Sequence, residues 1–268
     1  MYLIKKTSNK YKSFVKHLRF NFINPRFKMK KPNTKFDRIY HFHIRKCGGT
    51  SFNKAFSSYP NGDKENYNTL ANSPENKATF NNLPIVGWNI KHLKRGDYWY
   101  GFSHSEFEKI FPLQKKTFTF CFLRDPAKRL LSHYNMINEM KIREDRHPAF
   151  QKEVQWLGNS FLEFIEKIPR QYLQNQLFMF SRNFDINTAL KNLKKIDFVG
   201  ITGKHEEKLL NYFKENFDID LDYTHIRKSN IKYNLDENEK KLLISKLDEE
   251  YIFFEKAKLH IKENLKNF

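Results

Sequence analysis

The stretch His43-Ile-Arg-Lys-Cys-Gly-Gly-Thr-Ser51 constrains this chain more than any other. It follows an apolar run, residues 37–44, that reads as a β-strand, and it opens onto residues 51–57, which read as a helix. A strand, a glycine turn and a helix start together make an anion cradle. The first N–H groups of a helix have no intrahelical partner, and the helix dipole adds partial positive charge there. Glycine lets the backbone approach an anion closely. A Walker A loop ends in Gly-Lys-Ser/Thr. Here Lys46 precedes Gly48 and Gly49, and Thr50 and Ser51 follow them. That order argues against a nucleotide kinase of the P-loop type.

The rest of the chain alternates strand-like runs with helical patterns. Residues 98–102 read as a short strand ending at Ser103-His104, and residues 106–111 as a short helix. Thr117 to Leu123 is β-branched and aromatic and is the clearest strand. It stops at Arg124-Asp125-Pro126, where Asp125 is a good N-cap and Pro126 a good first helical residue. That helix is predicted to reach about Asn138. Ser160 with Glu163, and Asp236 with Glu239, are capping-box patterns. The second opens a long helical region to about Leu265. Residues 196–201 read as a buried strand, followed by a helix over 205–217. Residues 60–82, rich in Asn, Pro, Gly and Ser, read as a surface excursion. The pattern predicts an α/β fold: a mainly parallel sheet flanked by helices, with a helical C-terminal region. Ligands in such sheets bind at the carboxyl ends of strands. Three of those ends carry Arg45-Lys46, Ser103-His104 and Arg124-Asp125.

The net charge of +19 is unevenly spread. Residues 1–35 hold eleven Lys or Arg and no acid, so they form a basic N-terminal segment ahead of a domain over 36–268. Tyr11, Phe14, Val15, Leu18 and Phe22 fall at helical spacing there. The segment reads as docked on the domain or partly disordered, with peripheral contact to an anionic membrane as the alternative. Such a charge suits an anionic partner, and nucleic acid is one alternative. The chain carries no RNA-recognition, helix-turn-helix or zinc-finger signature. No apolar run is long enough to span a bilayer. Two cysteines are too few for a disulfide framework. Cys47 reads as a packing residue rather than a reactive thiol.

Arg124 at a strand end and Ser132 two helical turns after Pro126 suit a second phosphate, because arginine offers a fork of donors. Arg129 lies between them and reads equally as a ligand or as an exposed helical charge. No spacing suggests a metal site.

Two motifs now carry a family resemblance. His43 to Ser51 resembles the 5′-phosphosulfate loop of sulfotransferases. Phe122-Leu-Arg-Asp-Pro-Ala-Lys-Arg-Leu-Leu-Ser-His-Tyr134 resembles their 3′-phosphate motif. The closest branch is the carbohydrate sulfotransferases of the uronyl 2-O type and their bacterial relatives, which use 3′-phosphoadenosine 5′-phosphosulfate (PAPS). Weaker stretches fit as well: Gly101-Phe-Ser-His104 resembles the segment bearing a histidine base. Gln171 to Leu177, including Gln174, resembles a helix patch near the acceptor, and Phe198 to Thr202 resembles a later strand. The resemblance implies a P-loop-like sulfotransferase fold and no metal cofactor. It implies that Lys46 meets the bridging oxygen, with Arg45, Gly48, Gly49, Thr50 and Ser51 around the 5′-phosphate. Arg124 and Ser132 would hold the 3′-phosphate, with Arg227 and Lys228 reaching the nucleotide.

His104 is then the candidate base for a hydroxyl acceptor, since neutral imidazole suits that role near pH 7. His92 and Glu106 are rival bases. The cluster Lys91-His-Leu-Lys-Arg95 is placed against an acidic glycan acceptor, with His92 and Arg95 as contacts. His41 and His43 read as structural. Cys47 and Arg45 depart from the usual loop residues. Eukaryotic relatives carry a membrane anchor and luminal disulfides, and the lack of both here points to a bacterial cytoplasmic enzyme rather than a Golgi one.

Overall fold

The computed structural model describes residues 35–144, 148–224 and 233–268. The basic segment and the pair Arg227 and Lys228 lie outside the described residues, apart from Lys35.

In chain order the elements begin with β1 (Arg38–Phe42), α1 (Gly49–Ser58), α2 (Asn66–Asn72), β2 (Lys77–Phe80) and β3 (Leu83–Gly87). Next come α3 (Ile90–Arg95), β4 (Tyr100–Ser103), α4 (Phe107–Ile110), β5 (Thr117–Leu123) and α5 (Pro126–Ile142). A helical stretch follows with α6 (Pro148–Val154), α7 (Phe161–Lys167), α8 (Arg170–Leu173), α9 (Asn175–Phe180) and α10 (Ile186–Leu193). The chain closes with β6 (Phe198–Ile201), α11 (Glu206–Phe217), α12 (Glu237–Lys246) and α13 (Asp248–Asn264). The sheet order is β2-β3-β4-β1-β5-β6. All neighbours pair in parallel except β2 and β3. β1 is flanked by β4 and β5, so the strand order switches direction beside it, which opens a crevice at the carboxyl ends.

Every residue of β5 is buried, as a strand covered on both faces requires. On one face, Phe52 and Phe56 of α1 meet the sheet together with Phe213 of α11. Phe52 stacks on Phe122 at 5.1 Å and Phe213 lies 5.7 Å from Phe120. On the other, Phe42 meets Phe180 of α9 at 5.0 Å, and Phe180 meets Phe253 of α13 at 5.8 Å. A second apolar cluster joins Leu130, Tyr134 and Ile137 of α5 to Phe161 and Phe164 of α7 and Leu243 of α12.

The strands at 38–42, 117–123 and 198–201 fall where the pattern puts them. Asp125 caps α5 by accepting from the Lys128 N–H at 2.9 Å, and α12 carries the full Asp236–Glu239 capping box. One expectation is corrected. The surface excursion at 60–82 contains α2 and β2, and β2 forms an antiparallel hairpin with β3. Asn81 and Asn82 make its turn with φ of 48° and 64°, a conformation that asparagine tolerates. The C-terminal region is helical as expected, built of α12 and α13, which meet at Leu247.

Arg129 is neither ligand nor surface charge. It is fully buried against Glu250 of α13, with Nε 3.3 Å from Oε1. Its Nη2 donates to the carbonyls of Tyr172, at 2.9 Å, and Leu173. Removing one partner of a buried pair leaves an uncompensated charge, whereas replacing both with apolar residues is far milder. Arg129→Leu should therefore cost about 3–5 kcal/mol in urea unfolding, and Arg129→Leu/Glu250→Leu should recover much of that loss. Equal losses in the two variants would refute this account of the pair.

Candidate active site

The anion loop begins where β1 ends. Lys46 has φ 66° and Gly48 φ 81°, so the chain turns sharply between strand and helix. The left-handed region costs an ordinary L-residue roughly 1–2 kcal/mol, so the strain at Lys46 is held by its surroundings. Arg124 Nη1 donates to the Lys46 carbonyl at 3.0 Å, and Thr202, just beyond β6, donates its hydroxyl to the Cys47 carbonyl at 2.8 Å. No side chain caps the start of α1. The Ser51 N–H turns back to the Gly48 carbonyl at 3.2 Å, and a helix start without a side-chain cap suits an anion. Gly49 has no room for a side chain: a Cβ would stand 2.2 Å from His43 Cδ2 and 2.4 Å from His41 Cε1.

These residues line one cavity of about 330 Å³ at the carboxyl edge of the sheet. Lys46, Gly48, Gly49, Thr50 and Ser51 enclose it from the loop, His43 and Arg45 from the end of β1, and His104 from the end of β4. Arg124 follows β5, Ser132 lies on α5 and Thr202 closes the β6 side. The loop motif and the Arg124–Ser132 motif are thus brought together. Tyr67 of α2 and Met136 of α5 also line the cavity, and neither residue stood out in the sequence.

Arg124 is held by Gln176, to which no sequence signal gives this role. Gln176 Oε1 accepts from the Arg124 N–H at 2.7 Å, and Gln176 Nε2 donates to the Arg124 carbonyl at 2.9 Å. The same Nε2 donates to Glu250 at 2.8 Å. Gln176 belongs to the stretch singled out as an acceptor patch, but its partners are far away in sequence. Among the described residues Arg124 forms no ion pair; Asp125 is occupied as a helix cap.

Arg45 reaches the cavity, but Glu153 of α6 holds its guanidinium through two bonds of 2.6 and 2.9 Å. Glu153 also accepts from His133 Nε2 at 3.0 Å. These bonds, from His133 first and then Arg45, outweigh burial and hold the Glu153 carboxyl down at about 2. Arg45 therefore brings less free charge to a phosphate than expected. Cys47 is buried, and burial pushes its thiol up to about 12, so it is a packing group.

His104 Nδ1 donates to the His43 carbonyl at 2.7 Å. In the neutral ring this leaves the lone pair on Nε2. Burial, aided by Arg45, pulls its pKa down to about 4, so the ring is neutral across the physiological range.

Three expected acceptor contacts do not reach the cavity. His92 Nε2 bonds Glu75 at 2.9 Å and Arg95 pairs with Asp97 at 3.0 Å. α3 runs from the end of β3 back toward the start of β4, so Arg95 sits at the opposite edge of the sheet. Gln174 is buried and donates to the Lys246 carbonyl at 3.1 Å, tying α9 to α12. Glu106, a rival base, is paired with Lys109 at 2.9 Å and does not line the cavity.

The sequence profile of the Sulfotransferase family matches residues 33–253, most of the chain and every cavity-lining residue. The chain belongs to the sulfotransferase family. No curated protein matches it. The family places the chain among transferases that move a sulfuryl group with PAPS as the donor. No described helix is long and apolar enough to cross a membrane, and no described cluster of His, Cys, Asp or Glu could hold a metal ion.

Three buried imidazoles make this sulfotransferase sensitive to acid. Burial lowers His41 to about 3, and His104 and His133 to about 4. The unfolded chain binds those protons near pH 6.5, while the fold refuses them until about pH 4, so stability is lost as pH falls from 6.5 toward 4. Each group contributes a slope of up to about 1.4 kcal/mol per pH unit. Urea midpoints measured from pH 7.5 to 4.5 should fall steeply below pH 6.5; a flat profile would contradict the buried neutral state.

Proposed function

We propose that this protein transfers the sulfuryl group of PAPS to a hydroxyl of a carbohydrate acceptor. The observation that carries the reading is that Lys46, His104, Arg124 and Ser132 all line one cavity. The cavity has the features a doubly phosphorylated nucleotide needs: an uncapped helix start with no room for a side chain at Gly49, and an arginine with a hydroxyl some distance away. PAPS supplies the electrophilic sulfur and the 5′-phosphate leaving group.

The chain supplies the rest. N–H groups at the start of α1, with Thr50 and Ser51, hold the 5′-phosphate, and Arg124 and Ser132 hold the 3′-phosphate. Nε2 of His104 takes the proton of the acceptor hydroxyl as its oxygen bonds to sulfur. Lys46 stabilises the electron pair released onto the phosphate as the sulfur–oxygen bond breaks. A carbohydrate acceptor is supported by the likeness to the uronyl branch and by the imidazole base. The neutral Arg45–Glu153 pair beside His104 suits an uncharged part of that acceptor better than an anionic one. A bacterial, cytoplasmic setting is part of the same proposal. A kinase reading has no Gly-Lys-Ser/Thr end to its loop, and a nucleic-acid reading leaves the cavity unexplained.

Calorimetry with adenosine 3′,5′-bisphosphate should give micromolar affinity or better in the wild type. Arg124→Ala should weaken it about 10–100-fold, the range for a lost charged hydrogen bond, and adenosine 5′-phosphate much less. Lys46→Ala should abolish transfer while leaving the fold intact. No binding in the wild type would refute the reading. The acid limb of kcat/KM should fall near pH 4, because the base loses its lone pair only there; a limb near 6.5 would point to a different base.

A further inference from the structure

His43 and His104 present opposite faces of imidazole chemistry to the same cavity. Strand alternation puts His41 and His43 on the face of β1 that α1 covers. Asn53, one turn into α1, reaches both. Its Oδ1 accepts from the Tyr100 hydroxyl at 2.7 Å and from His41 Nδ1 at 2.8 Å. With the oxygen so occupied, Asn53 Nδ2 donates to His43 Nδ1 at 3.1 Å. A ring that accepts at Nδ1 carries its proton on Nε2. The His43 ring lines the cavity and packs against Gly49, where Nε2 stands 2.5 Å from the place of a Cβ. The His43 and His104 rings are in contact, with centroids 4.2 Å apart. His104 offers a lone pair at Nε2, and His43 offers a donor.

Resting on the PAPS reading above, we propose that His43 is a second catalytic imidazole, whose Nε2–H donates to a non-bridging oxygen of the sulfuryl group in transit. The proton itself does not move. It stabilises the sulfuryl oxygens while the acceptor's proton goes to His104 and the bond to the 5′-phosphate breaks. Preorganised donors of this kind act where charge sits in the transition state and need no reorganisation to do so. The three-imidazole stack and the Asn53–Tyr100 bracket are what hold the donor in place. A purely structural His43 would fill the space beside Gly49 and contribute nothing selective to the sulfuryl group.

Two measurements on the full-length protein test this. Long-range proton–nitrogen spectra of ¹⁵N-histidine-labelled protein, with His43 assigned by loss of its signal in His43→Gln, should show the proton on Nε2. A proton on Nδ1 overturns the proposal. In kinetics, His43→Phe keeps a ring without a donor and should lower kcat roughly 10²–10³-fold, the cost of losing one such donor. Its affinity for adenosine 3′,5′-bisphosphate, which has no sulfuryl group, should stay within about threefold. His43→Gln, whose amide nitrogen falls near the place of Nε2, should recover at least about tenfold of the lost rate. Loss of bisphosphate affinity in step with kcat, or no loss of kcat, overturns the proposal. If His43→Phe fails to fold, Asn53→Asp decides: a carboxylate there pulls the proton to Nδ1 and should lower kcat with the ring in place, and an unchanged kcat overturns the proposal. A wild type that binds no bisphosphate would instead overturn the PAPS reading, leaving the tautomer result untouched.

Discussion

The close packing of Gly49 on the imidazoles of His41 and His43 is the contact on which the rest of the site depends. A single added carbon would overlap both rings, at 2.2 and 2.4 Å. Because there is none, the start of α1 can lie directly against the end of β1, and the loop between them is forced into its turn at Lys46 and Gly48. The cluster is polar yet sits inside an aromatic face, between Phe52 and Phe120. Buried polar groups are tolerable there because Asn53 bonds His41, His43 and Tyr100 together. One amide thus joins helix α1 to strands β1 and β4 beneath the cavity.

The electrostatics divide by role. The whole chain carries +19, but distant surface charge is screened within about a Debye length, roughly 8–10 Å at ordinary salt. What a bound anion feels is local: the helix start, Lys46 and Arg124. Arg45 is balanced by Glu153. His104 is kept neutral by burial, with Arg45 adding to that effect. A cationic environment disfavours a second cation, so Arg45 adds to burial in keeping the imidazole in its proton-accepting form. Binding and proton transfer are therefore not in competition within this cavity.

Much of this was legible in the sequence because the signals are local. Thr117–Leu123 has no competing period, Asp125-Pro126 starts a helix by its own chemistry, and the glycine loop is contiguous. The α/β class follows from their alternation. What was illegible is long-range or depends on a missed element. Gln176 and Glu250 act on residues 52 and 121 positions away, Arg124 and Arg129 respectively, and no spacing marks such pairs. Arg129 looks like any helical arginine until a carboxylate is found opposite it. The misplacement of His92 and Arg95 has a different origin. The hairpin turn at Asn81-Asn82 sits in a stretch of loop-like composition, which hides β3 in the sequence. A helix linking two parallel neighbours runs back against them. With β3 recognised, the end of α3 would have been placed at the far edge of the sheet from sequence alone.

The buried Arg129–Glu250 pair is weak evidence for stability, since desolvating two charges offsets most of their attraction. Its position suggests what it does instead. Beyond the end of β5 the backbone of Arg124 needs partners that the ladder does not give it. An amide side chain can satisfy an N–H and a carbonyl at once, but only in one of its two orientations. Glu250, an acceptor, selects the orientation with the Gln176 nitrogen toward it. The oxygen is then left to accept from the Arg124 N–H. With its peptide fixed, Arg124 can spend one of its five donors on the Lys46 carbonyl and still serve a phosphate. Arg129 keeps Glu250 compensated deep in the protein and ties it to the carbonyls of α8. The C-terminal helix thereby sets the orientation of one amide, and through it the spacing between the two halves of the anion site.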